Sequence, residues 1–408
     1  MTRFDLHSRF ILKMNKYYLI DHKILFLFGY IFYLFTPWVV GNLGSFAGYP
    51  GMDLFHGFYK RIPPSQLFSY ILITISWLPA FYLGHFTFKV IKPYKKKLEI
   101  FASDFLTNNM RYIAFFLIGV LIMFTYLGRN SLTTSYHLYD AGSRGKISTL
   151  LILFDFFLIY QLLSKQKLSV ALAVGTACTA LLLLLMGGRM YVMQTFIVIL
   201  VYKTSFAVNR WKLYQIFLVL MACYIVGSFV GVARMNTSFD LNKAQYSLLA
   251  EPVFTWFSTS TFLINNKIPL FNFPSNFLTS FLNLVPNTVV NFKQFVISTQ
   301  SMGFYYVNPL GADSVWSTLI INFGSIGSFF FIYLTGFLLN FLRHLTEDNH
   351  FAAAYYISVC GVLPFQIFRD GFFILNKQLF FNFLLFPLIL FFILKLFIYY
   401  SRIKIKQI

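Results

Sequence analysis

Five arginines, Arg129, Arg144, Arg189, Arg234 and Arg369, each lie close to the end of an apolar stretch. A guanidinium keeps its charge and presents paired planar donors, so it grips phosphate oxygens in a bidentate fork. Several converging at a membrane face suit a diphosphate carried on a lipid. Arg189 is the sharpest case: Gly187 and Gly188 precede it in a tight turn, and Lys203 follows after about 13 residues. A helix of that length rises only about 20 Å. The shortfall predicts that Arg189 lies below the surface, where a charge usually faces a functional cavity; the plainer reading is a side chain that snorkels to headgroups.

Arg234 closes an apolar stretch in Gly231-Val232-Ala233-Arg234, as an interfacial stop charge also would. Arg144 lies in Tyr139-Asp140-Ala141-Gly142-Ser143-Arg144-Gly145, either a solvated turn or a stretch offering backbone N–H groups to phosphate. Arg369 precedes Asp370 and Gly371, where a local ion pair is the simple account. Arg189, Arg234, Arg144 and Arg369 are thus the candidate diphosphate-binding set.

A sugar hydroxyl attacking an activated anomeric carbon benefits from a carboxylate or imidazole base. His56, His137, Asp140, Asp240, Glu251 and Asp313 share the face of these arginines. His137 and Asp140 neighbour Arg144, and Asp313 directly precedes a late apolar stretch, so these three are the candidate catalytic residues; ordinary polar loop residues would look the same. The chain has no Gly-rich phosphate loop, HExxH or paired cysteines, and no Asp-x-Asp with a nucleotide-binding domain. ATP-driven transport, zinc proteolysis and cytoplasmic nucleotide-sugar transfer lose support, and neither a metal nor a cofactor is expected.

The elements that must position these side chains are membrane helices. Of 408 residues, 58% are hydrophobic and 11% charged, against about a quarter charged in soluble domains. A crossing takes about 20 apolar residues, because every backbone polar group must be satisfied internally. Apolar stretches near 24–41, 67–90, 111–128, 147–163, 168–187, 190–207, 213–233, 315–342, 351–368 and 379–400 predict ten crossings. Further dips at 247–264 and 287–299 would make twelve, although Glu251 and Pro252 argue against the first.

With the amino terminus inside, every short Lys-rich connection is cytoplasmic: Lys92 with Lys95–Lys97, then Lys165 and Lys167, then Lys203, Arg210 and Lys212, then Arg343. The formal charge of +20 is therefore read as topological, and nucleic acid is not an expected partner. Arg3, Arg9, Lys13, Lys16 and Lys23 precede the first stretch without a cleavage pattern, which makes it a retained anchor. Cys178, Cys223 and Cys360 read as small lipid-buried residues. The expected fold is an all-α integral membrane protein of about ten, alternatively twelve, transmembrane helices. It forms one polytopic domain over 1–408 with both termini cytoplasmic. Its largest extramembrane element is the outer loop 234–314, where Phe277, Leu278, Phe281, Leu282, Leu284 and Val285 predict an amphipathic helix lying on the membrane.

This arrangement resembles the Wzy-type polymerases of bacterial O-antigen and capsule repeat units. The matching pieces are Leu185-Met186-Gly187-Gly188-Arg189-Met190 at an outer turn, the large late loop, and Asn322-Phe323-Gly324-Ser325-Ile326-Gly327 after Gly311-Ala312-Asp313. The resemblance covers most of the chain as architecture and two short stretches as sequence. An Arg ten residues from a Gly, a loop motif of some relatives, is absent. The resemblance implies a multi-pass glycosyltransferase of the bacterial cytoplasmic membrane. It would join undecaprenyl-diphosphate-linked oligosaccharides on the outer face, with membrane lipids and a chain-length regulator as partners. Arg189, and by position Arg144, Arg234 and Arg369, would hold diphosphate without a metal. An O-antigen ligase, a polysaccharide transporter or flippase, and a membrane scaffold are the alternatives.

Overall fold

The computed structural model describes residues 19–91, 110–129, 141–164, 169–186, 188–233, 240–284, 291–307, 313–347 and 349–406, and among them it is all-helical. All ten apolar stretches are helical. The first is α1 (His22–Leu43), followed by α2 (Met52–Arg61), α3 (Pro64–Ile91), α4 (Met110–Leu127), α5 (Ala141–Leu163), α6 (Val170–Leu185) and α7 (Arg189–Val201). Next come α8 (Leu213–Ala233), α9 (Leu241–Thr255), α10 (Phe257–Asn265), α11 (Ser275–Ser280), α12 (Val315–Leu345), α13 (His350–Val362) and α14 (Gln366–Arg369). The last helix, α15, runs through Phe372–Asn376, a π-helical stretch Lys377–Leu385 and Phe386–Lys406. Six of these, α1, α3, α4, α5, α12 and α15, are long and apolar enough to cross a membrane; α6, α8 and α13 are shorter apolar helices.

Packing sorts the helix ends into two sets. At one end the Arg343 guanidinium pairs with Asp21 at 2.9 Å, joining the close of α12 to the start of α1. His22 there meets the Tyr356 hydroxyl of α13 at 2.8 Å and His85 of α3 at 3.2 Å. The Ser205 hydroxyl, just beyond α7, donates to the Ile20 carbonyl at 2.8 Å. At the opposite end, Trp256 donates to the Tyr70 hydroxyl at 3.0 Å, and Ser314 N–H donates to Ser258 at 2.9 Å. The start of α1 and the closing turns of α3 and α12 thus share one end, and the opening turns of α3 and α12 share the other.

The closest helix contact is between α3 and α12, which lie side by side in the same direction. Gly84 faces the Tyr333 carbonyl and Gly336 faces the Phe81 carbonyl so closely that a Cβ on either would sit about 2 Å from an oxygen. Small residues let backbones approach where lipid supplies no hydrophobic drive for association. Trp77 locks the pair by donating to Ser328 at 3.2 Å. Gly84→Ala is expected to cost about 1–3 kcal/mol through overpacking. A fall in the melting temperature of the purified protein in detergent checks this, and an unchanged value would show that the helices part easily.

Three expectations change. First, the described part of 234–314 is not a free loop: Trp256, Phe262 and Leu263 are buried. Ser258, Ser260 and Thr261 return their hydroxyls to carbonyls three or four residues back. A helix can then bury them. Second, the predicted surface helix forms over Ser275–Leu284, ending as a 3-10 turn. Its Phe277 instead packs on Phe323, Phe331 and Phe372 at ring distances of 5.5, 5.8 and 4.9 Å. Third, the described part of 287–299 holds only the 3-10 turn Phe292–Phe295 and the start of another, Thr299–Met302, so no span-length helix lies among those residues.

Within α12 the helix is interrupted at Gly324, whose φ of 72° and ψ of −177° are non-helical. The freed N–H groups of Ser325 and Ile326 donate to the carbonyls of Pro269 and Leu270 at 2.9 and 3.1 Å. Asn272 donates to the freed Ile321 carbonyl.

Candidate functional site

The charged side chains gather at the end opposite Arg343. α14 places Arg369 with its guanidinium 3.4 Å from Glu251 of α9. Tyr33, in the π-helical turn of α1, donates to the same carboxylate oxygen at 3.2 Å. Arg369 also reaches the Met190 sulfur of α7 at 3.1 Å. Burial alone would lower the Arg369 pKa, but Glu251 and Asp370 outweigh it and hold the group above its ordinary range. Arg369 therefore carries a fixed charge inside the protein.

Arg144, in the first turns of α5, stands 5.8 Å over the Tyr191 ring and packs against Gly188. It acts electrostatically on Asp370, as do Arg369 and Glu251. Asp370 is pushed up to about 6, first by burial and then against the pull of Arg369. One of its carboxylate oxygens is buried without a hydrogen-bond partner. Asp313, one residue before the Ser314 cap of α12, faces Gly371, where a Cβ would lie 3.3 Å from its carboxylate. Burial and then the Asp370 charge push Asp313 up to about 7. The two carboxylates lie at the close of α14 and the start of α12, which Ser258 holds in place through Ser314 N–H.

Of the sequence-nominated residues, Arg144, Arg369 and Asp313 come together. Arg189 opens α7 beside Met190, half-buried and without an ion pair among the described residues. The helix behind it is longer than Lys203 suggests, since it continues as a π-helical turn over Tyr202–Phe206. The shortfall that would sink Arg189 below the surface is accordingly smaller. Arg234, His137 and Asp140 lie outside the described residues. His56 meets the Ser45 carbonyl at 3.0 Å. Arg129 stacks its guanidinium 4.8 Å over Tyr126.

Sequence reasoning underused Glu251 and Asp370. Glu251 reads there mainly as an obstacle to a crossing, and Asp370 as the local partner of Arg369. The structure gives the Arg369 ion pair to Glu251 instead. The available signal for Glu251 is an acidic residue isolated in an apolar helix, which usually has a partner.

The arrangement offers two fixed cations for an anionic leaving group, and beside them a carboxylate pair that exchanges protons near neutrality. Comparisons with protein-family models, curated proteins and solved structures find no match for the chain.

Proposed function

We propose that the chain is a membrane glycosyltransferase that polymerises undecaprenyl-diphosphate-linked oligosaccharide repeats on the outer face of a bacterial cytoplasmic membrane. The observation that carries this reading is the meeting of Arg144, Arg369 and Asp313, three residues nominated by their chemistry from distant parts of the chain. The reading takes about ten crossings, with α7 among them. The Arg369 end is then outside, since Lys203, Lys212 and Arg343 fall at the other end.

In this mechanism an acceptor sugar hydroxyl gives its proton to the Asp313 carboxylate as its oxygen bonds the donor's anomeric carbon. The bond from that carbon to the diphosphate breaks, and the leaving diphosphate takes the electron pair. Arg369 and Arg144 stabilise the charge that develops there; Arg189 is adjacent in sequence to Met190, which Arg369 contacts. Donors fixed in place before the reaction are worth most in a water-poor site. A base titrating near the working pH is the efficient compromise between being ionised and being basic.

The pH dependence has a definite sign. Asp313 has a folded pKa of about 7, above its unfolded value, so its contribution to stability is present at low pH and lost as pH rises through 7. Asp313→Asn is expected to be about 1–3 kcal/mol more stable than wild type at pH 8, with a smaller difference at pH 5. Activity should move the opposite way, rising through pH 7 in wild type and staying low and flat in the variant. Thermal melts and rates at several pH values check both arms; a melt difference that grows towards acid would refute the assignment.

The deciding experiment supplies purified protein in liposomes with lipid-diphosphate-linked repeats, without ATP or nucleotide sugar. Lengthening of the glycan supports the reading. Transfer to a different acceptor without lengthening selects a ligase, and passage across the bilayer without bond formation selects a flippase. One observation favours the transporter class, because helices broken within the membrane mark substrate passages, and α12 is broken at Gly324. The groups at that break, Asn322, Asn272, Pro269 and Leu270, are uncharged, while Arg144, Glu251, Asp313, Arg369 and Asp370 lie together at the Arg369 end. That distribution supports group transfer over passage.

A further inference from the structure

An apolar groove of about 490 Å³ lies between α4 and α6, walled by Ile118, Ile122, Val174 and Leu182. The volume falls within the roughly 300–1,000 Å³ of small-molecule sites. From Ile118 to Arg129 the groove follows α4 for about 16 Å. Its walls belong to the apolar bands of a candidate span and a shorter apolar helix, so its natural occupant is hydrocarbon.

The mouth of the groove is basic. Arg129 lines it at the end of α4, beside Tyr126. Lys146 of α5 extends its ammonium group to 5.8 Å from the Phe124 ring of α4. Two residues earlier on α5 comes Arg144, already placed in the charged cluster. Arg144 and Leu183, the neighbour of the groove residue Leu182, both approach Gly188, so the proposed reaction centre lies beside the end of the groove; no carboxylate lines the groove.

We infer that this groove holds the single polyprenyl chain of the lipid carrier, with its diphosphate passing Arg129 and Lys146 on the way to Arg144. The nature of the chain rests on the glycosyltransferase reading above. A single groove matches a one-chain lipid, whereas a bilayer phospholipid must place two chains. The row of cations matches a diphosphate better than a zwitterionic headgroup.

The test uses the full-length protein in nanodiscs and a polyprenyl diphosphate carrying a diazirine on its chain, beside a diazirine-bearing phosphatidylglycerol. Labelling by the polyprenyl probe should map to α4 and α6. Cys178, exposed on the groove wall, is the site for a filling variant: Cys178→Trp should suppress that labelling. Arg129→Ala should reduce it about tenfold, the loss expected of one charge-assisted contact. Melting temperatures confirm that both variants fold; for one that does not, Ile122→Trp fills the same groove from the other wall. Equal labelling by phosphatidylglycerol, or polyprenyl labelling indifferent to all these substitutions, overturns the inference. Glycan lengthening is measured on the same preparations. Labelling of α4 and α6 without lengthening supports the groove and removes the polymerase reading; lengthening with labelling elsewhere removes the groove alone.

Discussion

Arg369→Ala is expected to lower glycan lengthening by about 100- to 1,000-fold, the usual effect of removing one preorganised donor to a developing negative charge. Its guanidinium is the fixed charge on which the site is organised: it meets Glu251 at 3.4 Å and holds the carboxyl of Asp370 below the value burial would impose. The same substitution strands Glu251 in a partly buried position beside Tyr33. Leaving a buried charge without its partner costs about 3–5 kcal/mol, and partial exposure of this pair puts the cost at or below the low end. Lost folding could then imitate lost catalysis.

The double variant Arg369→Ala with Glu251→Gln separates the two. Neutralising Glu251 removes the stranded charge, so the double variant should melt near wild type and still fail to lengthen glycan. Arg369→Lys keeps the charge but loses the fork, and should recover stability more than rate. A well-folded double variant that lengthens glycan at the wild-type rate would sink the role given to Arg369.

Gly324→Ala is the second large expectation. A φ of 72° with a ψ of −177° lies in a region that is essentially reserved for glycine, and an added Cβ would also lie 2.5 Å from the Leu270 carbonyl. Backbone strain of this kind costs about 1–3 kcal/mol, and the collision would displace the segment that satisfies Ser325, Ile326 and Ile321. The variant is expected to melt several degrees lower and to lose activity, because residues 269–284 lose their seat on α12. Gly119→Ala is the control. Gly119 is helical and has open space at its Cβ position, so alanine there should be neutral or slightly stabilising. Equal melts for the two variants would show that the break in α12 is not held by Gly324.

The helices were legible because twenty-residue apolar runs have few other solutions, and each of the ten stretches is helical. Arg144, Arg369 and Asp313 were legible as residue types at suitable places. Their meeting was not, since it depends on how α5, α12 and α14 pack, and no local pattern encodes that. Burial of 241–265 was half legible, since 247–264 is apolar enough for a dip into the bilayer; Glu251 and Pro252 argued against it, and the serine and threonine hydroxyls are satisfied within their own helix. The length of α7 was hidden by Lys203, a charge that a π-helical turn carries past the expected boundary. Glu251 was misread for the opposite reason: a carboxylate in an apolar helix looks unfavourable until its partner, 118 positions later at Arg369, is in place.

The clasp between Asp21 and Arg343 also sets an order of events during synthesis. These residues are 322 positions apart, and ribosomes add roughly 5–20 residues per second, so Asp21 waits roughly 16–64 s for its partner. Through that interval α1 has entered the membrane without the contact that closes its end of the bundle. Lys23, 3.4 Å from Asp21, is a cation the nascent chain can offer it meanwhile. Truncated chains that stop before α12 should thus be the ones that cellular quality control removes first.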